Sequence, residues 1–349
     1  MHFSQVLFIY LYVLAISFKD VHCFVDPVSL TIGAGVGLGA LTGFGFLKDQ
    51  TYCRLTECCN ERSVPGHIYE LREMIRKRLY GQHIVKQQLI SALEAHFNPQ
   101  MSSRKPLVMS FHGTPGTGKN FVADMIAEAL YEKGSKSRFV HKYMGRLEFS
   151  VEKNIKSYNE RIYNDVVMGI TDCPRSLFIF DEVDKMPAGV FESLASLVDY
   201  NSLPNKLDGS KAIFIFLSNL AGVQISDQLA KMLKNGELRE NIKLSSFEQI
   251  LQKASYNLDG GFKKAGLIEQ HVIDHYIPFL PLEKHHVQQC ISAEFLKWGR
   301  TPQKQEIENM LKEVITYDRG HGLFSTSGCK TIEKKVATEV WIKKHHNEI

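Results

Sequence analysis

The sequence predicts an α/β fold in which a central parallel sheet is flanked by helices and followed by a smaller helical C-terminal domain. Three observations carry this expectation. Short apolar runs of strand length recur at 106–113, 176–185 and 211–219; stretches with helical spacing lie between them; and from about Leu267 helical patterns predominate. Apolar runs that end in polar residues and alternate with helices imply a parallel sheet covered on both faces. A chain of 349 residues, 44% hydrophobic and 23% charged, is long enough for two domains with cores of their own. The net charge of +4 comes without a dense Lys/Arg run. That describes an ordinary solvated surface and argues against nucleic acid as a partner.

Residues 6–18, VLFIYLYVLAISF, form an unbroken apolar run too short for a comfortable membrane span. Residues 21–23 place permissive side chains where a signal peptidase cuts, so 1–23 is expected to be a signal peptide. Only His2 precedes the run in place of a basic region, which leaves an uncleaved anchor as the alternative. Residues 24–47 are again apolar, with Asp26 and Pro27 near the start and glycine at 33, 35, 37, 39, 43 and 45. Six glycines weaken a helix, so membrane-surface association or a shallow hairpin is expected rather than a full span. A buried soluble helix is disfavoured because the segment has no polar face.

Of seven cysteines, Cys53, Cys58 and Cys59 cluster behind this segment, and Cys173, Cys290 and Cys329 are dispersed. The cluster has neither a CxxC pattern nor histidine at ligand spacing, so disulfides in an oxidising compartment fit better than zinc. Neither an N-x-Ser/Thr acceptor nor a C-terminal retrieval signal is present to mark the compartment.

The α/β body begins near Glu61. Residues 68–97 read as helix, break at Gly81, and helix; 106–113 as a buried strand; 120–131 as an amphipathic helix; and 138–149, 176–185 and 211–219 as three further strands. A domain at 61–268 and a smaller helical one at 269–349 follow, behind a glycine-rich, cysteine-bearing segment at 24–60.

Chemistry gathers at the strand ends. Residues 113–120, GTPGTGKN, fit G-x-x-x-x-G-K between a strand and a helix, the context in which this motif cradles phosphate. Gly113, Thr114, Pro115, Gly116, Thr117 and Gly118 would wrap backbone N–H groups around the phosphates. Lys119 would reach the β and γ oxygens, and the helix N-terminus would add its dipole. Asn120 stands where Ser or Thr usually contributes a hydroxyl to magnesium. A chance glycine-rich turn is the bland alternative. In LFIFDEVDK, 62 positions after Lys119, Asp181 is placed to hold Mg2+ directly or through water, and Glu182 to polarise the attacking water. In FIFLSN, Asn219 ends the strand expected beside the acidic one, where its amide would bond the γ-phosphate or orient the water. A turn-forming asparagine is the alternative there.

Together these residues resemble an AAA+ ATPase of the Clp-like branch, and specifically a torsin. The resemblance rests on Gly118-Lys119-Asn120, on Asp-Glu-x-Asp-Lys-Met at 181–186, on Ser218-Asn219 and on Gly328-Cys329-Lys330. It extends from the signal peptide to IPFLPLEKHHVQQCI at 277–291 and so covers essentially the whole chain. It implies a large nucleotide-binding domain with a small helical lid, ATP and Mg2+ as ligands, and Lys330 reaching the nucleotide from the lid. It implies a disulfide between Cys290 and Cys329, which is either purely structural or, because Cys329 adjoins Lys330, couples redox state to nucleotide sensing.

The resemblance also implies a slow enzyme. Clp-type relatives carry an arginine finger before the Ile-Asp of the inter-domain junction; here Val272 precedes Ile273-Asp274. Such fingers are worth about 10³ to 10⁵ in rate. Torsins are similar in lacking it and obtain it from the luminal domain of a membrane-bound activator, of the lamina-associated-polypeptide type or its ER relative. The implied location is the lumen of the endoplasmic reticulum and nuclear envelope, with peripheral membrane association through 24–47 and self-association into AAA+ oligomers. A peptide-gripping loop is not evident: Lys142–Gly145 has the aromatic and the glycine, yet sits in a strand pattern and reads as core.

Three functions remain open on the sequence. One is an activator-dependent ATPase that remodels proteins or membrane-linked complexes. Another is a nucleotide-gated binding or filament-forming module that hydrolysis merely resets. The weakest is a small-molecule kinase, for which no acceptor site or lid arginine cluster is apparent.

Overall fold

The computed structural model describes residues 53, 56–101, 104–198, 207–257, 260–261 and 272–345. The expected signal peptide and the glycine-rich stretch at 24–47 lie outside them. Among the described residues, no helix is long and apolar enough to cross a membrane. The chain divides into two compact units, Met1–Cys58 and Cys59–Ile349. In the first, a disulfide joins Cys53 to Cys58. The sheet, its helices and the candidate site all belong to the second.

The helix, break and helix expected at 68–97 are α1 (Ile68–Arg78) and α2 (His83–Phe97), parted at Gly81. Next come β1 (Leu107–His112), α3 (Lys119–Leu130), β2 (Val140–Met144) and a single turn, α4 (Gly145–Glu148). They are followed by α5 (Ile155–Asp172), β3 (Leu177–Asp181), α6 (Glu192–Val198), β4 (Ile213–Ser218), α7 (Gly222–Lys234) and α8 (Glu248–Asn257). The last are β5 (His275–Pro278), α9 (Lys284–Lys297), α10 (Lys304–Val314) and α11 (Ile332–His345). The strands form one five-stranded parallel sheet in the order β2-β3-β4-β1-β5.

Two details depart from the sequence reading. The strand expected over 138–149 ends at Met144, because Gly145 turns the chain into α4. The edge strand β5 is absent from the sequence-derived set and lies beyond the expected boundary at 268/269. Four residues ending in proline are too short to show a period of two.

The alternation within β3 and β4 explains how the sheet is covered. Leu177, Ile179, Ile213, Ile215 and Leu217 face one side and pack with Met109 and Phe111 under α1, α2 and α3. Phe178, Phe180, Phe214 and Phe216 face the other, under α5 and α6. Register pairs Phe178 with Phe214 and Phe180 with Phe216, so their rings stack at 4.8 and 5.2 Å, and Phe191 meets Phe180 and Phe216 edge-on. These rings are fully buried, and burial of each contributes about 2 kcal/mol, with the stacked pairs adding about 1 kcal/mol. Tyr143 of LysTyrMetGly joins this core at 5% exposure and stacks on Phe180, consistent with the strand reading of that segment.

A disulfide between Cys59 and Cys173 ties the start of the unit to the residue after α5. Beyond β5, α9, α10 and α11 close a separate small core around Leu282, Val287, Ile291, Phe295, Leu311 and Val336. Cys290 of α9 is bonded to Cys329 just before α11, with their Cα atoms 6.2 Å apart.

Candidate functional site

Because β4 lies between β1 and β3, the C-terminal ends of all three adjoin one another. Open parallel sheets bind ligands in the crevice beyond such ends. Here a cleft of about 980 Å³ opens, lined by 115–120, Asp181, Glu182, Asn219 and Lys330 among others. It thus gathers nearly all the residues singled out from the sequence; Gly113 and Thr114 contribute carbonyl oxygens beneath it.

The phosphate loop is tied down from below. Lys119, 6% exposed, donates from Nζ to Gly113 O (2.6 Å), Thr114 O (3.1 Å) and Asn219 Oδ1 (3.0 Å). Burial lowers its pKa to about 8; the Asp184 and Asp181 carboxylates oppose that shift and Lys330 adds to it. The hydroxyl of buried Thr117 donates to Thr114 O at 2.8 Å. Gly116 is in the left-handed region (φ 79°), and a Cβ there would lie 1.9 Å from Ser327 O. The loop before α11 therefore rests on the phosphate loop backbone to backbone, with the Cys329 N–H donating to Gly116 O at 3.3 Å. Lys330 is exposed at the mouth of the same cleft.

Across the cleft, the Asn120 amide donates to Asp181 Oδ2, and Asp181 Oδ1 accepts the Glu182 N–H at 2.8 Å. Asn120 thus orients the carboxylate expected to hold metal, a role a hydroxyl at that position would not fill in the same way. Glu182 is one of two described non-glycine residues with positive φ (53°). Strain of this kind costs about 1–3 kcal/mol and collects at functional sites.

Sequence reasoning passed over three residues that shape the cleft. Asp184, its side chain 6% exposed, accepts the Asn219 N–H at 3.0 Å and so couples the acidic turn to the end of β4. Its place three positions after Asp181 was the available signal. Gln82, 1% exposed, donates to Thr117 O (3.0 Å) and Leu280 O (2.8 Å) and accepts the Leu280 N–H (2.9 Å). It clamps the phosphate loop to 277–282, and only its position in an otherwise apolar junction hinted at this. Arg146 lines the cleft from α4, and no motif marks it.

Val272, the residue expected from the sequence at the finger position, is 2% exposed and enters the aromatic-side core. Its carbonyl accepts from Lys105 Nζ, and Lys105 pairs with Asp274 at 2.6 Å. The junction is thereby a buried lead into β5.

Comparison with known proteins agrees with this geometry. A family model described as Torsin matches residues 53–180, and one for the C-terminal domain of Torsin-1A matches 282–338. A torsin-like protein of Drosophila melanogaster is 54% identical over 321 residues, covering 91% of this chain and 93% of its own. One from Caenorhabditis elegans is 34% identical over 331 residues, covering 91% and 92%. Among solved structures, the Saccharomyces cerevisiae Hsp104–ADP complex is similar at a TM-score of 0.57 with 16% identity, covering 85% of this chain. Hsp104 with ATPγS and FITC-casein gives 0.54 and 13%, covering 81%. The chain spans about half the length of the Hsp104 chains it matches, and at that identity the likeness shows the fold.

Proposed function

The chain belongs to the torsin family of AAA+ proteins, and from that premise we propose that it is a slow, partner-triggered ATPase of the lumen of the endoplasmic reticulum and nuclear envelope. The observation that carries this reading is the convergence of Lys119, Asn120, Asp181, Glu182, Asn219 and Lys330 on one cleft while the finger position is a buried valine. The three disulfides among the described residues fit an oxidising compartment.

In this reading the backbone of 113–118 and the Lys119 ammonium bind the β- and γ-phosphates, and Lys330 approaches them from the helical side. Asp181, held by Asn120, would hold Mg2+ directly or through water, and the ion would neutralise charge on the phosphate oxygens. Glu182 takes a proton from the attacking water as ATP and water become ADP and phosphate. Asn219, whose Oδ1 accepts from Lys119, orients that water with its amide nitrogen. Without an arginine in cis at the finger position, the charge of the transition state is neutralised poorly until an activator's luminal domain supplies one.

The reading extends to remodelling of proteins or membrane-linked complexes, self-association into AAA+ oligomers, and membrane attachment through 24–47. Redox coupling has support of its own: Cys329 is both disulfide-bonded and hydrogen-bonded to Gly116.

The alternative, a binding module that hydrolysis only resets, is separated by Glu182→Gln. That variant is expected to bind ATP normally, lose turnover and trap partner complexes. On the ATPase reading it abolishes cellular rescue; a variant that rescues fully despite lost turnover would favour the binding module.

A further inference from the structure

The helix that closes the small domain is apolar on two sides. Ile332, Val336 and Val340 of α11 turn inward and pack in the core shared with α9 and α10. On the outward side Trp341 is 64% exposed and Ile342 45%, although tryptophan is on average a well-buried residue. Helical spacing fixes what surrounds them. Lys334, Thr338 and Trp341, at i, i+4 and i+7, form one exposed stripe; Lys335 and Ile342 run beside it, and Lys344 stands about one turn from Trp341. The two acidic residues of α11 point elsewhere: Glu333 lines the cleft, and Glu339 is held by Lys343 at 3.0 Å. Lys335 stands 3.9 Å from Glu313, while Lys334 and Lys344 enter no ion pair among the described residues. The Trp341 indole stacks on His345 at 4.0 Å, and His345 Nδ1 donates to the Trp341 carbonyl at 3.0 Å. The chain's other tryptophan, Trp298, is 54% exposed at the end of α9. Arg300 and Lys343 both donate to Glu306, so the C-terminal ends of α9 and α11 lie together.

We propose that the outward face of α11 docks on an anionic lipid bilayer, with Trp341 and Ile342 entering the headgroup boundary and Lys334, Lys335 and Lys344 meeting the lipid phosphates. An indole combines an apolar ring with an N–H donor, which suits it to the boundary between acyl chains and water. Lysines around it add attraction to anionic lipid. With its acids turned away, this face carries one sign of charge, the complement of such a surface. A second copy packed symmetrically on the same face would set lysine against lysine.

The face stands apart from the ATPase reading and from the segment at 24–47, and the test separates all three. In the full chain, Trp298→Phe leaves Trp341 as the sole indole, so its fluorescence reports this face alone. Vesicles of phosphatidylcholine with about one-third phosphatidylserine are added, with and without bromine on the upper part of the acyl chains. The emission is expected to shift to shorter wavelength and to be quenched by the brominated lipid. Pure phosphatidylcholine vesicles, or high salt, are expected to abolish both effects. Lys334→Gln combined with Lys344→Gln is expected to raise the lipid concentration at half-quenching about tenfold or more. These lysines are exposed, so the denaturation midpoint is expected to stay unchanged and a lost signal is not lost folding.

Vesicles that capture the protein while Trp341 stays unquenched would assign attachment to 24–47 and overturn the inference. Equal quenching on neutral and anionic vesicles would show that the lysines play no part, and would overturn it too. A spectral shift without lipid that grows with protein concentration would identify a second copy as the occupant, and no capture by either vesicle would equally refute membrane docking. Absence of ATP turnover with the quenching intact would sink the ATPase reading and leave this face as assigned.

Discussion

On the phosphate-loop side of the cleft, Lys119 is nearly buried and bonded to two backbone carbonyls and to Asn219, and Gln82 ties the loop to Leu280 with one bond to Thr117 and two to Leu280. On the acidic side, the Asn120–Asp181 contact is exposed and Glu182 meets a mostly solvated arginine. Buried bonds left without a partner cost about 1–3 kcal/mol each, whereas exposed pairs contribute under about 1 kcal/mol. The groups assigned to binding are therefore set when the protein folds. Of those assigned to hydrolysis, Asn219 is held with the binding groups, whereas Glu182 meets only a screened partner that a second protein can displace at little cost, as the proposed partner-triggered reaction requires.

The most severe break in this asymmetry is Lys119→Ala. It removes the charge that meets the phosphates and strands the carbonyls of Gly113 and Thr114. ATP affinity is expected to fall on the order of 100-fold by calorimetry, with a lower melting temperature even without nucleotide. A comparable Asp181→Asn change should leave stability nearly untouched.

Next comes Cys329→Ser. A bond across 39 positions constrains the unfolded chain by about 4 kcal/mol on the entropy model. Unfolding of the small helical core, followed by denaturant titration, is expected to shift to lower midpoint. If the bond is coupled to nucleotide sensing, the ratio of ATP to ADP affinity changes too; an unchanged ratio identifies a purely structural disulfide.

The mildest test is pH. Lys119 has its pKa lowered to about 8, chiefly by burial, and only its protonated form attracts phosphate. ATP affinity in the free protein is expected to be flat below pH 7 and to decline above about pH 8, by up to tenfold per pH unit. The stability of the unliganded protein follows the opposite sign: between about pH 8 and the ordinary lysine value the unfolded chain binds more protons, so stability rises with pH there.

The phosphate loop, the acidic strand end and Asn219 were legible in the sequence because each follows an apolar run whose type and length announce a strand. Strand order could not be read that way, yet β4 lying between β1 and β3 is what joins Asn219 to Lys119. The edge strand at 275–278 carried no periodic signal, being four residues long and ending in proline. Asn120 was visible as a departure from Ser or Thr, but its partner Asp181, 61 positions away, emerged only from the packing of α3 against the end of β3. Gln82 and Arg146 belong to no motif; their places follow from backbone approaches at Leu280 and Gly145 that one-dimensional patterns do not encode. The pairings of Cys53 with Cys58 and Cys59 with Cys173 likewise required three-dimensional proximity.

ATP turnover by the purified protein, alone and with the luminal domain of a membrane-bound activator, tests the central claim most directly. A low rate alone, a rise of about 10³-fold or more with the activator, and loss of that rise when the activator's contributed arginine is replaced are expected. Rapid turnover by the protein alone, or stimulation that survives removal of that arginine, would contradict it.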